Sequence, residues 1–235
     1  MNIFLLLFST LLIQFALKAE AQVEDYPKPP LEAYGALPQI ADAELSPDGT
    51  KVATIVNIKG NTRLAILSLD GAPPIQLGLR DLKARGVEFY DNEHVILHVS
   101  ETTRTFGFRG EYEYSGAFVF DLETQSVKQL LKGTSGIFPA QSGLGGIVGR
   151  GEKSGEVLMP AFMGSAGSDP RFDLLKVLLK RPRGRRFVRG TADTRDWVVG
   201  DNGRVLARER DNNRSNKYQV QSYKDKKWTT ILEFE

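Results

Sequence analysis

The chain has 235 residues, of which 41% are hydrophobic and 26% charged, and its formal net charge is +2. A chain of this length and composition can bury a substantial core, as one large domain or two small ones. Because 31 basic residues nearly balance 29 acidic residues, the bulk charge gives no reason to expect nucleic acid as a partner. The sequence contains no cysteine, which excludes disulfide bonds, cysteine-ligated zinc and a thiol nucleophile.

The amino-terminal segment is typical of a signal peptide. Residues 3–17 are almost all Leu, Phe, Ile and Ala, and Ala19-Glu20-Ala21 provides small residues at a cleavage site. This apolar run of about 15 residues is shorter than the roughly 20 residues of a membrane-spanning helix. The sequence therefore predicts a signal peptide over residues 1–21, with an uncleaved anchor as the alternative. The mature chain is predicted to be exported, periplasmic or secreted, with no transmembrane segment.

The next segment leads into the folded part of the chain. Residues 22–42 are rich in proline and are predicted to form an extended lead-in. The motif S-P-D-G-T follows at residues 46–50 and is a strong turn signal, because proline fixes φ and glycine accepts a positive φ. Residues 51–58 are then predicted to form a strand, and residues 63–69 form the next one.

This order of short strands and turns occurs four times, at intervals of roughly 45 to 60 residues. A four-stranded unit with such a period is typical of a β-propeller blade. The sequence therefore predicts an all-β fold of about four four-stranded blades, and a β-sandwich with a similar number of strands is the alternative. The predicted blades span about 43–78, 87–132, 146–189 and 196–235.

Three elements together resemble a known family. They are P-L-E-A-Y-G at residues 30–35, Leu37-Pro38, and L-S-P-D-G-T-K-V-A at residues 45–53. They resemble the start of exported bacterial serine peptidases of the prolyl oligopeptidase family, of the dipeptidyl or acylaminoacyl peptidase type. The resemblance extends more loosely through all four repeats.

The resemblance implies a particular domain arrangement. In that family an amino-terminal propeller screens access to a carboxy-terminal α/β-hydrolase domain, whose Ser, Asp and His triad has its serine on a G-x-S-x-G turn. It further implies an incomplete seven-bladed propeller, because seven blades of this length would need roughly 300 residues. Only the propeller is covered by the resemblance.

The residues themselves provide no complete catalytic site. No serine has glycine both two residues before and two residues after it, as a nucleophile elbow requires. The only two histidines, His94 and His98, are predicted to lie roughly 13 Å apart on one strand, which is too far for one metal ion. The glycine-rich residues 143–149 lack the following helix of a phosphate-binding loop. We therefore expect no catalytic residue, cofactor site or metal site in this chain.

The densest local charge is a group of six basic residues, here called the basic segment. Its members are Lys180, Arg181, Arg183, Arg185, Arg186 and Arg189. Charges of one sign at this density attract polyanions, so an anionic envelope polymer is a candidate partner. The alternative is a hairpin with its tip at residues 182–184, which merely displays exposed side chains.

A second candidate is an aromatic binding loop in the second blade. It contains Phe106, Phe108, Tyr112 and Tyr114, on a long predicted connection between strands. Loops carry binding residues more often than the strands that support them. The alternative is that these rings lie on two extended strands and pack into the sheet.

The sequence thus predicts the propeller part of an exported serine peptidase that hydrolyses peptides. In this hypothesis the propeller gates the peptide substrate and docks on a hydrolase domain that is absent from this chain. A non-enzymatic periplasmic propeller that acts as an interaction scaffold is the alternative. Residues 228–235 end within a predicted strand without a closing segment, which favours the first hypothesis.

Overall fold

The computed structural model describes residues 28–235 except 105, 106, 108, 140 and 166, so the predicted signal peptide lies outside the described residues. The chain divides into one compact unit that ends at Ala36 and another that begins at Leu37. The first unit contains a short helix, α1 (Leu31–Gly35), preceded by Pro30. The prolines of the lead-in predict extended chain there, but proline is compatible with the start of a helix, where no donor is lost. No helix among the described residues is long and apolar enough to span a membrane.

The second unit consists of four antiparallel sheets, each with four strands in chain order. The first sheet contains β1 (Ile40–Leu45), β2 (Lys51–Ile58), β3 (Asn61–Ser68) and β4 (Ile75–Gly78). The second sheet contains β5 (Lys83–Phe89), β6 (His94–Thr103), β7 (Tyr112–Asp121) and β8 (Ser126–Gln129).

The remaining described strands form two more sheets of the same kind. The third sheet contains β9 (Gly149–Arg150), β10 (Glu156–Met163), β11 (Arg171–Leu178) and β12 (Arg181–Val188). The fourth sheet contains β13 (Thr194–Val199), β14 (Val205–Asn212), β15 (Lys217–Lys224) and β16 (Lys227–Phe234). Four four-stranded meanders are the architecture of propeller blades, so the predicted fold class is confirmed.

Three apolar clusters join the sheets in chain order. Leu97 of β6 packs toward the first sheet, whereas its neighbour Ile96 packs toward the third sheet. Val157 of β10 likewise packs toward the second sheet, and Leu158 packs toward the fourth. Successive side chains of a strand point to opposite faces, so β6 and β10 are buried on both. This explains why their sequences are nearly continuous apolar runs rather than alternating patterns.

The turn that joins the first two strands of each sheet is here called the entry turn. Gly49, Gly155 and Gly203 hold the same place in three of these turns, with φ of 71°, 72° and 72°. In the second sheet, which has no glycine there, the Asp91 carboxylate accepts hydrogen bonds from the backbone N–H groups of Glu93 and His94. The turn residues of the four repeats therefore behave as predicted. Glycine adopts a positive φ in three of the entry turns, and an aspartate accepts backbone hydrogen bonds in the other.

Entry turns of neighbouring sheets are in contact. The backbone N–H of Asp48 donates to Asn92 Oδ1 at 3.0 Å and so joins the first two turns. A Cβ on Gly203 would lie 2.8 Å from the carbonyl carbon of Gly151, so the third and fourth sheets approach too closely there for any side chain. Glycine at residue 203 is thus required by packing as well as by φ.

The inner edge of the third sheet is completed by a side chain. Strand β9 pairs with β10 only at Val157 and Leu158. Farther along β10, the buried Gln141 accepts from the N–H of Phe162 at 2.8 Å and donates to its carbonyl at 2.7 Å. Pro160 lies between the two regions, where the described part of the chain places no strand, so its missing N–H costs nothing.

Candidate functional site

The basic segment lies mainly on β12, an edge strand of the third sheet. The chain turns at Leu179 and Lys180, and β12 runs from Arg181 to Val188. The predicted hairpin tip at residues 182–184 is therefore wrong, because those residues pair within the sheet. A proline is compatible with an edge strand, since its missing N–H points away from the ladder. This explains why the P-R-G turn signal was misleading.

Strand geometry divides the basic segment between two faces. Arg181, Arg183 and Arg185 alternate along β12 and line one groove. Arg186 belongs to the opposite face, where its Nε lies 3.3 Å from Oδ2 of the fully buried Asp173. Asp173 also accepts a hydrogen bond from the N–H of Gly190 at 2.9 Å. Arg186 thus has a structural partner, and the six basic residues do not form one continuous surface.

The groove beside β12, here called the third-sheet groove, has a volume of about 310 Å³. Its floor and end are formed by Leu178, Lys176 and Glu156. Glu156 is 2% exposed, and the ammonium group of Lys176 lies 3.5 Å from its Oε1. The same ammonium lies 3.6 Å from Oε2 of the exposed Glu152. Two carboxylates therefore share one cation at this end of the groove.

Lys176 is held in place from the other side as well. Its ammonium lies 4.1 Å from the centre of the Phe187 ring, a cation–π contact. The carboxylate of Glu156 occupies the space where a Cβ of residue 151 would be, and glycine stands at that position. Glu156 and Lys176 were not predicted as site residues. Their only signal in the sequence is that Glu156 begins an otherwise apolar strand and that Lys176 interrupts the apolar residues 174–179.

The three groove arginines are unpaired. Among the described residues, no carboxylate lies within 4 Å of the guanidinium groups of Arg181, Arg183 or Arg185. The backbone edge of β12, in contrast, is occupied. The N–H of Leu131 donates to the carbonyl of Pro182 at 2.7 Å, and the N–H of Gly184 donates to Thr134 Oγ1 at 2.8 Å.

Half of the predicted aromatic loop can be placed. Tyr112 and Tyr114 lie on β7 rather than on a loop, with ring centres 6.3 Å apart. Tyr112 is exposed, whereas the hydroxyl of Tyr114 is buried and makes no hydrogen bond within the described chain. Phe106 and Phe108 lie outside the described residues. The structure therefore does not bring the four rings into one described site.

A charged cluster lies next to these tyrosines. The Glu113 carboxylate accepts hydrogen bonds from Lys83 at 2.8 Å, from Arg85 at 2.6 Å and from Ser100 at 2.6 Å, and Thr102 donates to it as well. These donors, with Lys83 the strongest, hold the pKa of Glu113 well below its usual range. Because the carboxylate is fully engaged, the cluster serves to tie β5, β6 and β7 together.

The two histidines are held by carboxylates. Nδ1 of His94 lies 2.9 Å from Asp91 Oδ1, and Nε2 of His98 lies 2.9 Å from Glu88 Oε1. Ser154 lines the same pocket as His94, which would place Ser, His and Asp together. However, Nε2 of His94 is buried and makes no hydrogen bond within the described chain. This nitrogen is therefore not exposed to a substrate in that pocket.

No family model and no curated protein matches the chain. Among solved structures, the β-propeller domain of the trilobed protease from Pyrococcus furiosus is similar with a TM-score of 0.50 and 13% identity, over 83% of this chain and 57% of that one. An acylaminoacyl peptidase from Pyrococcus horikoshii has a TM-score of 0.49 and 14% identity, over 83% and 32%. TolB from Acinetobacter baumannii has a TM-score of 0.45 and 13% identity, over 81% and 42%.

The chain thus spans between about a third and just over half of the length of these proteins. At such identities the likeness concerns the fold alone. The likeness to the trilobed-protease propeller domain and the four antiparallel four-stranded sheets together show that the fold of this chain is that of β-propeller blades.

Proposed function

We propose that this chain is the propeller part of an exported serine peptidase, in which it gates peptide substrate and docks on a separate hydrolase domain. The observation that carries the proposal is the array of four blade-like sheets, which is similar to the propeller domain of the trilobed protease. The lead-in at residues 30–35 and the S-P-D-G-T motif, which forms the first entry turn, support it.

In this proposal the chain supplies no nucleophile. No serine has the glycine spacing of a nucleophile elbow, and Nε2 of His94 is buried next to Asp121 rather than directed at a serine. The chemistry therefore belongs to a hydrolase domain encoded in the same gene. The propeller determines which peptides can reach that domain.

The test is to read the encoding gene in frame beyond the codon for Glu235 and to assay the purified chain. We expect further blades, then a G-x-S-x-G motif followed by Asp and His. We also expect no hydrolysis of acylated or free aminoacyl peptides by the chain alone. A stop codon directly after Glu235 would overturn the proposal, and so would hydrolysis that survives purification to homogeneity.

A second candidate is a non-enzymatic propeller that binds a partner as a scaffold. The unpaired arginine row of the third-sheet groove favours it, because three exposed guanidinium groups on one sheet face attract an anionic partner. A stop codon after Glu235, together with saturable binding of an anionic partner, would make this candidate the better one. An anionic envelope polymer is the partner proposed from the basic segment as a whole.

A further inference from the structure

The arginine row forms one cluster of positive charge beside β12. Arg181, Arg183 and Arg185 line the same groove. Arg181 pairs with Leu178 and Arg185 pairs with Lys176, so β12 bulges between them and the row does not have the spacing of a regular strand. Several carboxylates of one peptide segment could meet these guanidinium groups, in the bidentate geometry that arginine favours.

A ligand must lie on the face of the third sheet rather than along its edge. The edge groups of β12 at Pro182 and Gly184 already bond to Leu131 and Thr134. Strand addition, which uses free backbone groups of an edge, is therefore blocked at the middle of β12. Side chains of the groove, and not its backbone, determine what binds.

The groove also carries an acidic end. Lys176 is shared by Glu152 and Glu156, so this end retains one negative charge while the arginine row carries three positive charges. Oε1 of Glu156 is buried and makes no hydrogen bond with any described residue, but the side chain of Glu152 is 72% exposed and accessible to a ligand. A ligand that is complementary to this charge pattern carries three anionic groups followed by one cationic group.

We propose that the third-sheet groove binds an acidic protein segment that carries several carboxylates and has a basic residue at one end. The acidic residues pair with Arg181, Arg183 and Arg185, and the basic residue reaches Glu152 across Leu178. A uniform polyanion matches the arginine row but is repelled by the acidic end, which is why a peptide fits better. The inference does not depend on a hydrolase domain.

The probes are two labelled peptides with acetylated and amidated ends. Each contains three threonine–glutamate repeats and one lysine, which stands at the amino-terminal end of one peptide and at the carboxy-terminal end of the other. Fluorescence anisotropy with the full chain should show saturable binding. We expect the peptide with the lysine at the matching end to bind at least fivefold more tightly than its norleucine analogue. The triple variant Arg181→Gln, Arg183→Gln, Arg185→Gln should weaken binding at least tenfold.

A matched control removes the same charge elsewhere. The triple variant Lys180→Gln, Arg189→Gln, Arg204→Gln leaves the groove intact and should change the affinity less than twofold. Glu152→Gln, an exposed change, should abolish the lysine preference, whereas Glu123→Gln should leave it unchanged. Equal losses in the two triple variants would overturn the proposal, as would the absence of saturable binding.

Inorganic polyphosphate distinguishes the other class of ligand. We expect it to bind more weakly than the peptide and to gain affinity in Glu152→Gln. If polyphosphate binds more tightly than the peptide and the lysine makes no difference, the groove is a site for a polyanion and the peptide proposal is wrong.

Discussion

Single polar side chains determine the geometry of the first entry turn. The buried Ser46 donates to Asp48 Oδ1 at 2.7 Å and accepts from the N–H of Lys51 at 2.9 Å. Asp48 also accepts from the N–H and the hydroxyl of Thr50 at 3.0 and 2.8 Å. These donors, with Ser46 the strongest, lower the pKa of Asp48 to about 2.

This pKa predicts a dependence of stability on pH. Because the folded pKa is lowered from 3.8 to about 2, the contribution of Asp48 is complete above the higher value and is lost as the pH falls toward the lower one. Asp48→Asn should therefore lower the free energy of unfolding at neutral pH, and its difference from the native chain should shrink as the pH falls below about 4. Urea unfolding between neutral pH and about pH 3 measures this.

Asp201→Asn is the matched control for that experiment, because Asp201 lies in the entry turn of the fourth sheet and its carboxylate accepts no hydrogen bond in the described chain. Its effect on the free energy of unfolding should be smaller than that of Asp48→Asn, because it removes no such hydrogen bonds. An effect of Asp48→Asn that is equally large at all pH values would contradict the assignment.

Charged residues within largely apolar strands show which part of the site the sequence could predict. Asp173 and Lys176 lie among the apolar residues of β11, and Glu156 begins the apolar strand β10. All three make ion pairs with residues on neighbouring strands or turns. The pattern predicts a buried charge that needs a partner. The partner itself depends on strand register, which the sequence does not specify at a bulged pair such as β11 and β12.

The link between the second and third sheets shows how one glycine positions a whole element. Residue 145 has φ of 101°, and a Cβ there would lie 2.5 Å from the carbonyl carbon of Gly116 on β7. The link therefore lies directly on the backbone of β7. Ser115 reinforces this contact by donating to the carbonyl of Ser142 at 2.5 Å.

Gly145→Ala should consequently destabilise the chain by about 2 to 3 kcal/mol, because both the backbone conformation and the close contact oppose a side chain. Gly143→Ala is the matched control two residues earlier, where a Cβ would have nothing within 4 Å; it should change stability by less than about 0.5 kcal/mol. Chemical denaturation of both variants measures the difference. Similar losses in both would show that the link is not packed against β7.

At the level of elements, the four sheets followed from turn chemistry and strand patterning, since both are local in sequence. Glycine at residues 49, 155 and 203 and the double-sided burial of β6 and β10 are consistent with that local pattern. The role of Gln141 was not predictable. Its side chain bonds to the backbone of β10, where a neighbouring strand would otherwise pair. This contact depends on the conformation of the link between the second and third sheets, and that link has no sequence periodicity from which to predict it.

At the level of the whole molecule, the first and last sheets each expose an apolar face. Leu67 and Ile58 lie on the outer face of the first sheet, and Val198, Leu232 and Phe234 lie on the outer face of the fourth. The opposite faces of both sheets belong to the buried clusters. Exposed apolar side chains on a sheet face favour association.

We therefore expect the isolated chain to associate with increasing concentration, as measured by sedimentation velocity. The double variant Leu67→Lys, Val198→Lys should shift the distribution toward monomer, because a charge on each outer face opposes burial of that face. Val127→Lys, a change of an equally exposed valine on the second sheet, should have no such effect. A monomer at all concentrations would contradict this expectation.

The double-sided burial of β6 and β10 also sets the order in which the molecule can come apart. The strands β6 and β10 of the inner sheets are covered by a neighbouring sheet on both faces, whereas each outer sheet is covered on one. Stability in such an array depends on contacts between nearest neighbours, so the outer sheets separate at the lowest cost in buried area. Partial unfolding therefore starts at the ends of the array and moves inward, and the amide hydrogens of β6 and β10 are the last to exchange with solvent.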